Sequence, residues 1–416
     1  MSGDRHVGRR VTFFGHFGQI NFGNEGTLQA ILYNLRRYDP EVDIWCVCTV
    51  PAKAAETHAI SAVAIDEIHV KPQWLRRSSV ARALRKILIG IPSEVYRWIY
   101  AFNVLKGTEM LIVPGTGLLT DAFGRISWGP YSVFKWSVVA KLRRCKVLFV
   151  SVGAGPIYTN VGRWMIRSAL RLADFRSYRD EETSEFISRI GVHNSDDKVY
   201  PDLAFSLPVS VSMKSRPCTA KRIIGIGLMK YAGRLSAAHP ESATYRAYLA
   251  ALGTFTKWLL EHNYDIRLLI GDVCDRPVTQ DFKTVLKEMR KWDDQRILDE
   301  PVGSVNELMS QIAGTDAVVA TRYHNLLYSF LLDKPVISIS FHQKCNSLMG
   351  QMGLSEYCQD IHQLSVERLI AQFQELEEHA ERVKATIQRR TEEARCALDV
   401  QYKNIFGKML LQRDQF

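Results

Sequence analysis

The sequence predicts an α/β protein built from two doubly wound, Rossmann-like halves, and three observations lead there. At 416 residues the chain outgrows a single hydrophobic core. From Val11 onward an apolar run, a glycine-bearing loop and a helical stretch follow one another again and again. The rhythm breaks over Ser206–Ala220, where Pro208, alternating Val and Ser, and Pro217 interrupt it, and then it restarts. The expected boundaries are an N-terminal half over 1–207, a linker over 208–220, a C-terminal half over 221–365 and a helical tail over 366–416.

Taken in order, Val11–Phe14 reads as a short strand and Gly15–Gly26 as a glycine-rich loop. Thr27–Arg37 places Leu28, Ile31, Leu32 and Leu35 at i, i+3, i+4 and i+7, the stripe of a helix that buries one face. Asp43–Val50 is the next strand. Met110–Val113 before Pro114-Gly-Thr-Gly117, and Val147–Val152 before Gly153-Ala-Gly-Pro156, repeat the theme. Continuous apolar runs without alternation suit parallel strands covered on both faces. Ala173–Tyr178 is a short strand that leads into a helix at Asp180–Ile187 with an acidic first turn, favourable to the helix dipole. Beyond the linker come Ile223–Leu228, Ile266–Ile270 with Gly271, Ala317–Ala320 and Val336–Ser340. The tail, rich in Glu, Arg and Gln, is expected to be helical and to pack back across the halves. Two such units place a cleft at the carboxyl ends of their sheets, where ligands bind in doubly wound folds.

Composition narrows the function. The net charge of +10 is concentrated between Lys71 and Lys106, where eight Lys and Arg face the single acid Glu94. No RNP motif, zinc finger or basic-zipper pattern accompanies it, so nucleic acid is not an expected partner. Within this stretch Val80, Leu84, Ile87 and Ile91 form one stripe with Arg82, Arg85 and Lys86 opposite, and Pro92 ends the run. The basic amphipathic helix expected over 74–91 either packs its apolar face on the core or rests on an anionic membrane surface. No run reaches the roughly 18 apolar residues of a membrane span, and Met1–Arg10 carries no apolar region. The expectation is a cytoplasmic protein, peripheral to the inner face of the cell membrane if the basic helix touches lipid. Eight scattered cysteines without CxxC or zinc spacing read as reduced thiols, and no metal site is expected.

The most informative stretch is Ala317–Leu354. A buried strand ends at Ala320, a four-residue turn holds Arg322 and His324, and Asn325 opens the helix Leu326–Leu332. The turn offers a guanidinium for bidentate recognition of carboxylate or phosphate, an imidazole that titrates near neutral pH, and the donor-rich start of a helix. Lys344 brings a second cation just after the next strand. A lone histidine is more often a packed structural one; its company here argues for chemistry. Arg179, at the end of Ala173–Tyr178, is a second strand-end cation, open to the alternative of local pairing with Asp180 or Glu182. Gly15, Gly18, Gly23 and Gly26 match neither GxGxxG nor a P-loop, so no nicotinamide cofactor and no nucleoside triphosphate hydrolysis is indicated. The loop could admit a ligand to its amides with Asn24 and Glu25 adding polar contacts, or could be a plain tight turn.

In order along the chain, Asn21-Phe-Gly-Asn-Glu25, Pro114-Gly-Thr-Gly117 with Asp121, Gly153-Ala-Gly-Pro156, Arg179-Asp180, Tyr200-Pro-Asp202 and Arg322-Tyr-His-Asn325 with Lys344 resemble the polysaccharide pyruvyl transferase family over roughly Val11–Gly353. The resemblance departs at two places: GTG stands where three glycines are usual, and Tyr323 where leucine is common. It implies a GT-B-like arrangement with an interdomain cleft, phosphoenolpyruvate as co-substrate and no cofactor. The implied acceptor is a saccharide of an exopolysaccharide or cell-surface glycan, free or lipid-linked. Arg179 and Arg322 would hold the donor with Lys344 and Asn325, and His324 would be the acid/base. Asn21, Asn24, Glu25, Gly115, Gly117, Asp121, Gly153 and Asp202 would supply acceptor or loop contacts. Two other readings remain at this level, a nucleotide-sugar-dependent glycosyltransferase and a non-catalytic glycan-assembly binding protein.

Overall fold

The computed structural model describes residues 9–19, 21–66, 90–115, 117–121, 129–209, 221–231 and 243–410. The basic helix expected over 74–91 lies outside them as far as residue 89. The chain divides into two compact units, one of residues 1–19, 27–203 and 397–416, the other of 20–26 and 204–396.

Among the described residues, unit 1 is a parallel sheet of seven strands: β1 (Arg10–Gly15), β2 (Asp43–Cys48), β3 (Ser61–Ala64), β4 (Thr108–Pro114), β5 (Lys146–Val152), β6 (Phe175–Tyr178) and β7 (Lys198–Val199). Their order, β3-β2-β1-β4-β5-β6-β7, reverses direction between β1 and β4, the switch point at which doubly wound sheets open a crevice. Register is set by apolar partners such as Val11 with Ile44 on one side and Val11 with Met110 on the other. Phe13, Phe14, Leu111, Ile112, Val147 and Phe149 are all buried, as strands covered on both faces require. Trp136, fully buried on a helix, packs its ring 5.9 Å from that of Phe14.

Unit 2 repeats the design with β8 (Ile223–Leu228), β9 (Asp265–Ile270), β10 (Ile297–Leu298), β11 (Ala317–Ala320), β12 (Val336–Ser340) and β13 (Cys358–Asp360). The order β10-β9-β8-β11-β12-β13 switches between β8 and β11, and every pairing is parallel. The tail is helical, as Val366–Glu378 and Ala380–Tyr402 followed by a wide turn over Lys403–Leu410. Its residues to 396 belong to unit 2 and those from 397 to unit 1, where Gln401 accepts from the Ser177 hydroxyl at 2.7 Å in full burial.

Two helix starts differ from the sequence reading. The first helix, α1, spans Phe22–Tyr38, so Gly23, Asn24, Glu25 and Gly26 lie in its opening turns and not in a loop. Asn21 caps it, its side-chain oxygen accepting from the Asn24 amide at 3.1 Å. The helix after β11 starts at Tyr323 and runs to Leu331, so the turn is only Thr321-Arg322 and His324 and Asn325 stand in the first helical turn. Arg322 is its N-cap residue, with extended backbone and no capping bond from its side chain.

Candidate functional site

In unit 2 the motif residues gather at the carboxyl ends of β8, β9, β11 and β12. The Arg322 guanidinium lies edge-on to Asp275, with Nε donating to Oδ2 at 2.7 Å and Nη2 to Oδ1 at 2.6 Å. Asp275 is wholly buried, in a short turn after β9, and its Oδ1 also accepts from the Lys230 amide at 2.9 Å. Burial pushes this carboxyl above its usual value, with the guanidinium working against the rise. Burial also opposes the charged guanidinium, but the Asp275 carboxylate outweighs it and raises Arg322 above a free arginine. The Cys274 thiol stands 3.5 Å from Nη2, and burial together with the Asp275 charge pushes it up to about 12, so it is a neutral neighbour.

His324 follows in the first turn of the helix that Arg322 precedes. Its ring contacts Tyr323 edge-on with centroids 5.0 Å apart and leans on Tyr328 at 5.9 Å. Tyr328 is fixed in turn, its hydroxyl donating to the Phe22 carbonyl at 2.7 Å. The other wall of the imidazole is Gly23: a Cβ there would fall on the ring, closer than real carbons approach, and a Cβ on Gly26 would fall on the Tyr328 hydroxyl. The opening turns of α1 are therefore a glycine-faced plate against which the histidine and its tyrosine are set. Asn21 ties the plate down, donating to Asp272 Oδ2 at 2.6 Å, while Asp272 caps the Val273–Asp275 turn. Asn24 and Glu25 sit on this plate, Glu25 buried.

Lys344 lies in the first turn of the helix Gln343–Gln351, which His342 caps. Its ammonium hovers 5.8 Å from the centre of the Tyr323 ring and 5.3 Å from that of Phe341. Tyr323, against both Lys344 and His324, joins the two elements into one cationic edge. Asn325 is wholly buried, wedged where Cβ atoms on Gly227 and Gly271 would meet its amide, and among the described residues neither amide atom has a hydrogen-bond partner. It lies behind the turn.

In unit 1, Arg179 follows β6 with its guanidinium against the Gly153 backbone, where a Cβ would come within 2.6 Å of Nη2. Nε stands 3.4 Å from Asp180 and Nη1 3.5 Å from the fully buried Asp202. Asp180 also caps the next helix, accepting from the Thr183 amide at 2.7 Å. The local pairing left open by the sequence is thus present, and Asp202 is added to it. Gly115, at the end of β4, faces the Ser151 carbonyl at 3.0 Å from a notional Cβ, whereas Gly117 faces open space.

Asp121 spends its oxygens on the loop before the helix Asn160–Arg171: Oδ1 accepts from the Tyr158 amide at 2.7 Å, and Oδ2 from the Thr159 amide at 2.9 Å and hydroxyl at 2.7 Å. Burial acts to raise its pKa, but these bonds prevail and hold it below the ordinary 3.8. A depressed carboxyl stabilises the fold at pH above its unfolded value and loses that contribution as pH falls through the folded one. Asp121→Asn is expected to cost about 1–3 kcal/mol at neutral pH, with the gap to wild type closing below pH 3.8 in urea titrations.

Sequence reasoning missed Asp275, Asp272, Tyr328 and the wall made by Gly23. A signal existed for the first two: Gly271-Asp-Val-Cys-Asp275 is a glycine and two acids at a strand end, the same kind of place that marked Arg322.

Two doubly wound units, each with cations on the turns after its strands, define a fold of the GT-B type. The same fold occurs in the UDP-GlcNAc 2-epimerase of Neisseria meningitidis, with a TM-score of 0.60 and 12% identity over 97% of this chain and 100% of that one. A glycosyltransferase from Rickettsia africae aligns over 97% of this chain and 100% of that one, with a TM-score of 0.56 and 11% identity. At such identities the likeness is one of fold. Residues 21–343 match the family model of polysaccharide pyruvyl transferases, and the chain belongs to that family. The amylovoran biosynthesis protein AmsJ of Erwinia amylovora is 20% identical over 309 residues, 70% of this chain and 71% of that protein.

Proposed function

We propose that the protein transfers a pyruvyl group from phosphoenolpyruvate to a saccharide of an exopolysaccharide or cell-surface glycan, or its lipid-linked precursor, forming a pyruvate ketal. The observation that supports this reading is the gathering of Arg322, His324 and Lys344 on neighbouring elements at the carboxyl end of the unit 2 sheet, with Tyr323 against both His324 and Lys344. A compact trianion needs fixed cations, and Arg322 and Lys344 supply them, with Arg179 proposed as the guanidinium contributed by unit 1. In the reaction, a proton is added to the methylene carbon of the donor and a sugar hydroxyl bonds to the adjacent carbon, giving up its own proton. The bond to the phosphate oxygen then breaks, phosphate leaves with the electron pair, and a second hydroxyl closes the ketal as its proton departs. His324 is proposed to deliver and accept these protons. No cofactor is proposed. The basic segment 74–91 is proposed to meet an anionic membrane surface, on the cytoplasmic side.

Thermal melting tests the donor. Phosphoenolpyruvate at about a hundred times its Kd should add about 2.7 kcal/mol of stability, and a panel of nucleotide sugars should add none. The reverse result would make the protein a nucleotide-sugar glycosyltransferase. His324→Ala should lower kcat by about 10²–10⁴-fold. If the variant supports normal ketal content on the cell's glycan, the protein is a binding member of the assembly and not its catalyst.

A further inference from the structure

The helix Ile91–Val104, here α2, is amphipathic with its faces exchanged. Ile91, Val95, Ile99 and Phe102 project within an arc of about 80°, and they are 57%, 54%, 54% and 38% exposed. Pro92, Tyr96 and Asn103 flank them, also exposed, so this outer face carries no charge. The charged side chains turn the other way. Glu94 pairs with Arg97 at 3.0 Å and accepts from the Tyr131 hydroxyl, and Arg97 reaches toward Asp66, itself paired at 2.8 Å with the buried Lys135. A surface helix that keeps its ions beneath it and its aliphatic side chains above it is built to meet an apolar medium. Its fringe is cationic: Arg143 lies on the Phe102 ring, 3.5 Å from the centroid, and Lys106, two residues past the helix, is exposed. The chain from Lys71 to Lys106 adds no acid beyond Glu94.

We infer that the outer face of α2 is a lipid-binding surface that seats unit 1 on an anionic membrane. The side chains Ile91, Val95, Ile99 and Phe102 enter the headgroup boundary, and the basic fringe meets anionic headgroups. A second copy of the chain is the poorer occupant, because an isologous contact brings the same cationic fringe against itself. The inference extends the membrane contact proposed for 74–91 to a second element and does not depend on the donor chemistry.

The test is flotation of the full-length protein with vesicles of phosphatidylcholine, with and without about one-third phosphatidylglycerol. Wild type should bind the anionic vesicles, less as salt rises, and the double variant Val95→Asp/Ile99→Asp should bind at least about tenfold more weakly. Its melting temperature should equal that of wild type, since both side chains are exposed. Binding undiminished in the double variant overturns the inference. If reversing Arg82, Arg85 and Lys86 alone abolishes binding while the double variant binds normally, the contact through 74–91 stands and this one falls. A lowered melting temperature would mean that the chain itself covers the face, and a wild-type dimer that the variant dissociates would mean that a second copy does; either also overturns it.

Discussion

Replacing Gly23 with alanine is expected to lower kcat about 100-fold and to cost about 1–3 kcal/mol of stability through overpacking. The position is in the first turn of α1, where alanine is the better helix former by about 1 kcal/mol, so local propensity favours the substitution. The cost falls on His324. Its imidazole lies on the Gly23 backbone, and a methyl there must push the ring away. The ring cannot retreat freely, because Tyr323 and Tyr328 stand against it and Tyr328 is bonded to the Phe22 carbonyl. If His324 moves protons as proposed, a displacement near 1 Å is worth about two orders of magnitude in rate. Pre-steady-state kinetics with phosphoenolpyruvate and acceptor should show the loss in the chemical step, with donor binding intact. Wild-type kcat in this variant would mean that the imidazole does not act from the position it occupies here.

The same contact shows what the sequence could and could not convey. Strand ends followed by glycine or a cation are local features, so the strand-end placement of Arg179, Arg322 and Lys344 was legible from apolar runs, as were the two sheets. The start of α1 was not. Gly23 and Gly26 weaken helix propensity and read as loop, and their helical state is imposed by packing against residues some 300 positions away, His324 and Tyr328. The start of the helix at Tyr323 was hidden for a similar reason: Arg, Tyr and His are indifferent helix formers, and burial of Asn325 against Gly227 and Gly271 decides the matter. Asp275 carried only the weak signal of acids after a strand-end glycine, because its role exists only through a partner 47 residues further along. Asn21 and Asp121 were legible as motif positions, but the structure shows them holding a plate and a loop, work that a motif cannot distinguish from ligand contact.

Asp275→Asn carries the other large effect. Asp275 occupies the Nε and Nη2 edge of Arg322, so the proposed donor would meet the guanidinium from its Nη1 side. An asparagine of the same shape can accept from one of those groups but turns its own amino group toward the other, and it leaves the arginine charge unbalanced beside a buried turn. Breaking one side of such a pair costs about 3–5 kcal/mol, and the lower end applies because the Arg322 side chain keeps 24% of its exposure. The chemistry should suffer separately: with its anchor lost, the guanidinium presents no fixed edge, and KM for phosphoenolpyruvate should rise about tenfold or more while the acceptor KM changes little. The double variant Asp275→Asn/Arg322→Gln distinguishes the two effects. Removing both members of the pair leaves no orphaned charge, so the double variant should regain most of the stability lost in Asp275→Asn and none of the donor affinity. Denaturant titration and donor binding, measured on wild type and on both variants, decide it. If Asp275→Asn melts and binds phosphoenolpyruvate like wild type, the aspartate neither holds nor aims the arginine. If the double variant recovers donor affinity along with stability, the donor does not rest on Arg322 at all.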